Sequence, residues 1–329
     1  MNLEALFELF KEVKVVVVGD VMLDTYWWGH VERISPEAPV PIVALDKQEQ
    51  RVGGAGNVAL NTVALGAETF IVSVIGDDKD GRELINLYQK QHIDTTYIIQ
   101  SSERITTNKT RIISRNQQMM RLDAEITANI STALETELLQ KVAQCIADNK
   151  PDVLVFEDYN KGVLTEKIIT NIMALCQANN IVTTVDPKRK NFFTFKGATI
   201  FKPNLKEVKE GLNILLDDVS ELALNHIHQE LQAKLQHQIS FITLSENGVF
   251  YKDGLNSKII PTHIRSIADV SGAGDTVIAV ASLVYATTKN MHLAAEMANI
   301  AGGLVCEEVG TAAINKEKLL LECMQLLGS

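Results

Sequence analysis

The segment Asp269-Val270-Ser271-Gly272-Ala273-Gly274-Asp275-Thr276 places small residues and a carboxylate directly ahead of the apolar run Val277-Ile278-Ala279-Val280-Ala281. Small residues at a helix start let backbone N–H groups converge on a cavity that can hold phosphoryl oxygens. A resting phosphate would repel an aspartate there, so Asp275 points to a proton acceptor for a nucleophile that attacks phosphorus. The competing structural reading is a glycine-rich turn in which Asp275 complements the helix dipole.

A second cluster, Gly53-Gly54-Ala55-Gly56-Asn57-Val58-Ala59, matches the dinucleotide pattern G-x-G-x-x-A, with Asp77 or Asp78 about 20 residues on, as that pattern asks. Its context argues against an NAD(P)-binding oxidoreductase. The preceding Lys47-Gln48-Glu49-Gln50-Arg51 is polar where a buried first strand should lie. Pro203-Asn204-Leu205-Lys206-Glu207 reads either as a capping box or as an amide and carboxylate beside hydrated Mg²⁺. No G-x-x-x-x-G-K-[ST] occurs, which excludes a P-loop phosphotransferase. Lys188-Arg189-Lys190 follows Asp186-Pro187 at a strand end and could meet an anionic substrate. His226 and His228, two apart in a helical pattern, are expected as solvated surface residues.

The elements that must position these groups read as alternating strands and helices. Val13 to Val18 is apolar without alternation apart from Lys14, as expected of a strand buried on both faces of a parallel sheet. Further buried strands are expected at 70–74, 153–156, 181–185, 199–201 and 241–244, separated by helices such as 133–147, 167–177 and 222–235. That rhythm predicts a doubly wound, mostly parallel α/β sheet with helices on both faces. Residues 26–51 and 97–122 break it and read as antiparallel ribbon, a small inserted lid over the carboxyl ends of the strands. One body spanning 1–329 plus this flap is the expected organisation.

Composition narrows the function classes. The chain has 329 residues, 46% apolar and 22% charged, with a formal charge of −10, which disfavours a nucleic-acid or anionic-membrane partner. The four cysteines stand apart without metal-ligand spacing and read as reduced core thiols, so a cytoplasmic protein is expected. The longest nearly apolar stretch, 276–286, is about half of the ~20 residues a bilayer crossing needs.

With both glycine clusters in this order and spacing, the whole chain resembles the ribokinase-like (PfkB) carbohydrate kinases. Within that family, four stretches are similar to the D-glycero-β-D-manno-heptose-7-phosphate kinases of ADP-heptose and lipopolysaccharide-core precursor synthesis. They are Gly19–Asp24, Arg33–Pro41, Ser114–Gln118 and Asp158-Tyr159-Asn160-Lys161-Gly162. The resemblance implies transfer of the ATP γ-phosphate to the anomeric hydroxyl of the heptose 7-phosphate. Asp275 would be the base, and the amides of Gly272, Ala273 and Gly274 the anion hole. Asp24, Gly54 and Asn57 would hold sugar hydroxyls, and Asn204 and Glu207 would order Mg²⁺ and its waters. Ser245, Gly248 and Asn299 match the nucleotide pocket, while Asp269 and Ser271 match a monovalent-cation (K⁺) position. Candidates for the substrate's own phosphate are Arg111, Arg115, Asn116, Lys161 and Lys188.

Three departures accompany the match. Gly56 stands where alanine is expected, Arg189 stands where a glycine often follows the lysine, and the His-x-Gly-His motif of fused nucleotidyltransferase relatives is absent. A stand-alone kinase, or the kinase part of a longer protein, is therefore expected. Alternatives are a PfkB kinase for ribose or a ketohexose phosphate, a catalytically silent sugar sensor and, most distantly, the oxidoreductase. An exposed lid edge is a liability, so two lids are expected to cover one another in a homodimer.

Overall fold

The valines at 15–18 alternate between two hydrophobic cores. In the computed structural model, which describes residues 2–115, 117–216, 218–263 and 265–328, the chain runs from α1 (Leu3–Leu9) through β1 (Lys14–Gly19) into two long strands, β2 (Val21–Ile34) and β3 (Pro41–Gly54). Next come α2 (Ala55–Leu65), β4 (Glu68–Gly76), α3 (Lys79–Lys90), β5 (Ile98–Ser101), β6 (Asn108–Ser114) and β7 (Gln117–Ala124). The alternation continues with α4 (Thr132–Asn149), β8 (Val153–Glu157), α5 (Glu166–Ala178), β9 (Val182–Asp186), β10 (Ile200–Phe201), α6 (Leu205–Leu212), α7 (Glu221–Leu235) and β11 (Ile239–Thr243). A hairpin, β12 (Val249–Asp253) and β13 (Asn256–Ile260), precedes α8 (Ala273–Thr288), α9 (Met291–Val305) and α10 (Lys316–Leu327).

Nine strands form one sheet in the order β13-β12-β11-β10-β9-β8-β1-β4-β5, parallel from β11 to β5. Val15, Val17, Val153 and Val155 face the core under α1–α3 and α8–α10; Val16, Val18, Leu154 and Phe156 face that under α4–α7. Each fully buried side chain of this kind contributes roughly 1.5–3 kcal/mol, which is why these strands carry no polar alternation. The five buried strands expected from sequence are β4, β8, β9, β10 and β11, within two residues at either end. Among the described residues no helix is long and apolar enough to cross a membrane.

The second sheet, in the order β3-β2-β6-β7, is built from the two ribbon segments, and it differs from expectation in two ways. Ile98–Ser101 extends the main sheet beside β4, with Ile99 buried, so the ribbon begins only at Asn108. The β2–β6 pair is parallel, because both strands leave the carboxyl edge of the main sheet in the same direction, from β1 and β5; only β2–β3 and β6–β7 are antiparallel.

His226 is exposed as expected, but His228 is buried. With Leu224, Ile227 and Leu231 it lies on the inward stripe of α7, and its Nδ1 meets Ser240 Oγ at 2.9 Å while His237 Nε2 meets the same oxygen at 2.6 Å. Burial, with His228 nearby, pushes His237 down to about 4. A histidine whose folded pKa is depressed stabilises the fold above its unfolded pKa of ~6.5 and loses that contribution as pH falls through the folded value. The unfolding free energy from urea titration is therefore expected to fall between pH 7 and pH 4.5, by up to about 3 kcal/mol from this group, and less steeply in His237→Gln. An equal fall in both proteins would remove His237 as the cause.

Candidate active site

Two helices start beside one another at the carboxyl edge of the sheet. Gly54 precedes α2 and Gly272 precedes α8, and neither helix has a side-chain cap. The first amide of each helix donates to a backbone carbonyl, Ala55 N to Asp20 O at 3.0 Å and Ala273 N to Val270 O at 3.3 Å, so an anion would meet the positive end of each helix mainly through the amides that follow. Gly272 adopts φ +79°, and a Cβ there would lie 2.6 Å from Asn57 Nδ2, so the turn excludes other residues. Gly56, where alanine was expected, sits under Tyr88, whose hydroxyl would lie 2.4 Å from an added Cβ.

Asp275, in the first turn of α8, is 3% exposed. Its Oδ1 accepts from the Tyr159 hydroxyl at 2.6 Å and its Oδ2 from Asn57 Nδ2 at 2.9 Å. Burial raises its pKa to about 6; the bonds from Tyr159 and Asn57 oppose the rise and the Asp186 charge adds to it. A buried carboxyl poised there can exchange a proton near neutral pH.

Beside the α8 start lies a buried ionic array. Lys202 Nζ is 2.7 Å from Asp186 Oδ2, while Lys188 Nζ is 3.3 Å from Asp186 Oδ1 and 2.6 Å from Glu207 Oε1. A Cβ on Gly274 would lie 3.8 Å from Asp186 and 3.9 Å from Lys202, so the lysine flanks the amide hole. Burial alone would lower Lys188, but Asp186 and Glu207 outweigh it and hold the ammonium well above its usual range. Glu157, at the end of β8, is fully buried, and both of its carboxyl oxygens lack hydrogen-bond partners. Burial, then Asp186 and Asp275, push its pKa well above the usual carboxylate value and favour its protonated form.

On the lid side, Asp24 pairs with Arg111 at 2.5 Å, and the guanidiniums of Arg111 and Arg51 lie 5.3 and 5.1 Å from the Tyr26 ring centre. Lys161 pairs with Glu125 at 2.7 Å. Lys109 makes no ion pair among the described residues; its Nζ sits 5.5 Å from the Tyr159 ring centre. Asp20 is buried and accepts from the backbone N–H groups of Tyr159, Lys161 and Val163 at 2.9, 2.9 and 3.1 Å, which fixes this loop under the lid.

On the other side of Asp275, Asn204 and Glu207 form the capping box: Asn204 Oδ1 accepts from Glu207 N and Glu207 Oε2 from Asn204 N, both at 2.8 Å. Gly248 packs on Ile260 and Pro261, next to the positive-φ Ser245, and Asn299 Nδ2 donates to Pro261 O at 2.9 Å. Pro261 thus brings Gly248 and Asn299 together, and Ser245 joins them through its carbonyl, which accepts from Gly248 N at 3.1 Å. Asp269 accepts from Ser271 N and Gly310 N, both at 2.9 Å.

Arg115 stands apart. It is exposed at the β6–β7 turn, six residues beyond Lys109 and so about 20 Å along the ribbon. Asn116 lies outside the described residues. Conversely, Tyr159, Lys109, Glu157, Asp186 and Lys202 belong to the site without having been singled out as site residues. For Tyr159, Glu157, Asp186 and Lys202 the signal was polar residues at the carboxyl ends of buried strands, where ligands bind in such sheets; Lys109, near the start of the lid strand β6, carried no such signal.

The model of the "pfkB family carbohydrate kinase" matches residues 13–318. The chain belongs to the PfkB family. Curated relatives include the "Bifunctional protein HldE" of Geobacter metallireducens, 36% identical over 97% of this chain and 64% of that protein. The protein of the same name from Methylobacillus flagellatus is 41% identical over 93% of this chain and 62% of its own length. The chain thus spans less than two thirds of these relatives. Among solved structures, phosphofructokinase-2 from Escherichia coli in complex with potassium has a TM-score of 0.80 at 16% identity, covering 96% of this chain and 100% of that one. Arabidopsis thaliana ribokinase complexed with ribose and ATP has a TM-score of 0.73 at 15% identity, covering 94% and 98%. The fold is ribokinase-like, and the family whose model matches is one of carbohydrate kinases.

Proposed function

We propose that this PfkB kinase phosphorylates the anomeric hydroxyl of D-glycero-β-D-manno-heptose 7-phosphate with ATP, giving the 1,7-bisphosphate. The observation that carries the reading is the Asp275 carboxyl, set between two uncapped helix starts with cationic side chains on its lid side. The four sequence stretches similar to heptose-7-phosphate kinases supply the identity of the sugar. Asp275 takes the hydroxyl proton as the oxygen attacks the γ-phosphorus, and the amides of Gly272, Ala273 and Gly274 receive charge on the transferred group. Asp24, Gly54 and Asn57 orient sugar hydroxyls. Ser245, Gly248 and Asn299 line the nucleotide's seat.

Among the described residues no group of three or more His, Cys, Asp or Glu could hold a metal. The Asn204–Glu207 pair nevertheless fits hydrated Mg²⁺ carried mainly on phosphate oxygens, which needs only one or two carboxylates. When bound, the ion would neutralise charge on the transferring phosphates. A monovalent cation is assigned to the loop of Asp269 and Ser271, whose geometry Gly310 N helps to hold. The dimer reading rests on exposed lid residues Ile34, Val40, Leu45 and Met120, and light scattering showing 36.3 kDa alone would overturn it.

The substrate's phosphate is assigned first to Lys109, which has no ion pair among the described residues, and second to Lys161, which would have to share its charge with Glu125. Arg111 is already satisfied by Asp24, and Lys188 faces Glu207 on the nucleotide side. The test is ATP turnover with the manno-heptose 7-phosphate, sedoheptulose 7-phosphate, ribose and fructose 6-phosphate. Selective turnover of the first is expected, and turnover of another sugar alone would retain the kinase but discard the heptose. Lys109→Ala is expected to raise KM for the phosphorylated sugar by about 10–100-fold, with KM for ATP unchanged.

A further inference from the structure

Tyr159 stands outside the groups that carry the phosphoryl-transfer reading, yet it touches Asp275 directly. Its hydroxyl donates to Asp275 Oδ1 at 2.6 Å, and its backbone N–H is held by Asp20 Oδ2 at 2.9 Å. Its ring carries Lys109 Nζ at 5.5 Å and Lys188 Nζ at 5.3 Å from the centroid, one from the lid and one from the nucleotide side. We propose that Tyr159 is a positioning residue, whose phenol holds the Asp275 carboxylate in one orientation and in its ionised, proton-accepting form. The inference rests on Asp275 being the base.

The direction of the bond is determined by its surroundings. Burial, then Asp275, Glu157 and Asp186, hold the Tyr159 phenol well above the usual tyrosine range, so it keeps its proton and can donate it in the bond to the Asp275 carboxylate. A carboxylate oxygen that accepts one such bond keeps a second lone-pair site. Asn57 Nδ2 occupies one site on Oδ2 in the same way, so two fixed donors pin the group while each oxygen retains capacity for the acceptor hydroxyl. Among the other groups around the pair, Asp186 on β9 opposes ionisation of Asp275 and Lys202 after β10 favours it, while burial favours the protonated form of Glu157 on β8. Lys109 on β6 and Lys188 after β9 face the tyrosine ring. Without the phenol's donated bond, burial and the Asp186 charge would favour the protonated acid.

Tyr159→Phe removes the hydroxyl and keeps the ring with both lysine contacts. Two readouts test it: the acid limb of kcat/KM against pH, and the ¹³C carboxyl titration of Asp275 in substrate-free protein, assigned by difference from Asp275→Asn. Both midpoints are expected to move up by about one pH unit in Tyr159→Phe, with KM for ATP within about twofold. Replacing Tyr159 by 3-fluorotyrosine, a stronger donor, is expected to move both midpoints down, a response that a purely structural ring would not give. An Asp275 titration unmoved by either change would overturn the proposal. If Asp275→Asn kept its turnover, the base reading would fail, while the ¹³C midpoints would still report whether Tyr159 biases the carboxyl.

Discussion

Asp275→Asn is expected to lower kcat by about 10²–10⁴-fold, the usual worth of a positioned general base, while ATP still binds. The amide keeps the volume and can accept from Asn57, but it cannot take a proton. Its effect on stability runs the other way. Asp275 has a folded pKa of about 6, above the usual carboxylate range, chiefly through burial. A group whose folded pKa is raised stabilises the fold when protonated and loses that contribution as pH rises through the folded value, so at pH 7 the ionised Asp275 is a strain on the fold. The variant should therefore be nearly inactive with a thermal midpoint at or above that of the parent. Turnover within a few-fold of the parent would show that another group accepts the proton. In the parent enzyme the same ionisation is expected to make kcat/KM fall as pH drops through about 6.

Lys202→Met is expected to destabilise the fold by about 3 kcal/mol, the low end for breaking a buried ion pair, because Lys188 still partly compensates Asp186. The pair lies in the floor of the site: Lys202 is 2% and Asp186 4% exposed, with 2.7 Å between the charged atoms. Burial by itself would raise the Asp186 pKa, yet Lys188 and Lys202 hold it below the usual value. Removing Lys202 leaves that carboxylate short of a partner next to Glu157 and the base Asp275. The urea midpoint at pH 7 reads the loss, and Asp186→Asn in the same chain should recover part of it. A loss below about 1 kcal/mol would mean that water, and not the lysine, balances Asp186. ATP affinity should fall as well, since the ammonium borders Gly274 at the amide hole.

The amino-acid order alone was enough to place the Gly272–Asp275 helix start, the five buried parallel strands and the existence of a second, smaller sheet. Each is written in neighbouring residues: small residues before an apolar helix, apolar runs without alternation, and alternating ribbons with prolines. What only the tertiary structure decided is which side chains meet. Tyr159 reaches Asp275 across 116 residues of sequence and Asn57 reaches it across 218, contacts that exist because β8, α2 and α8 converge at one edge of the sheet. The parallel β2–β6 pairing aligns Lys109 with Asp24, and the inward stripe of α7 buries His228. Local periodicity reports how much of an element is buried, because burial repeats with the helix or strand. The partner of a charged side chain depends on strand order and crossover direction, which no short window of sequence contains.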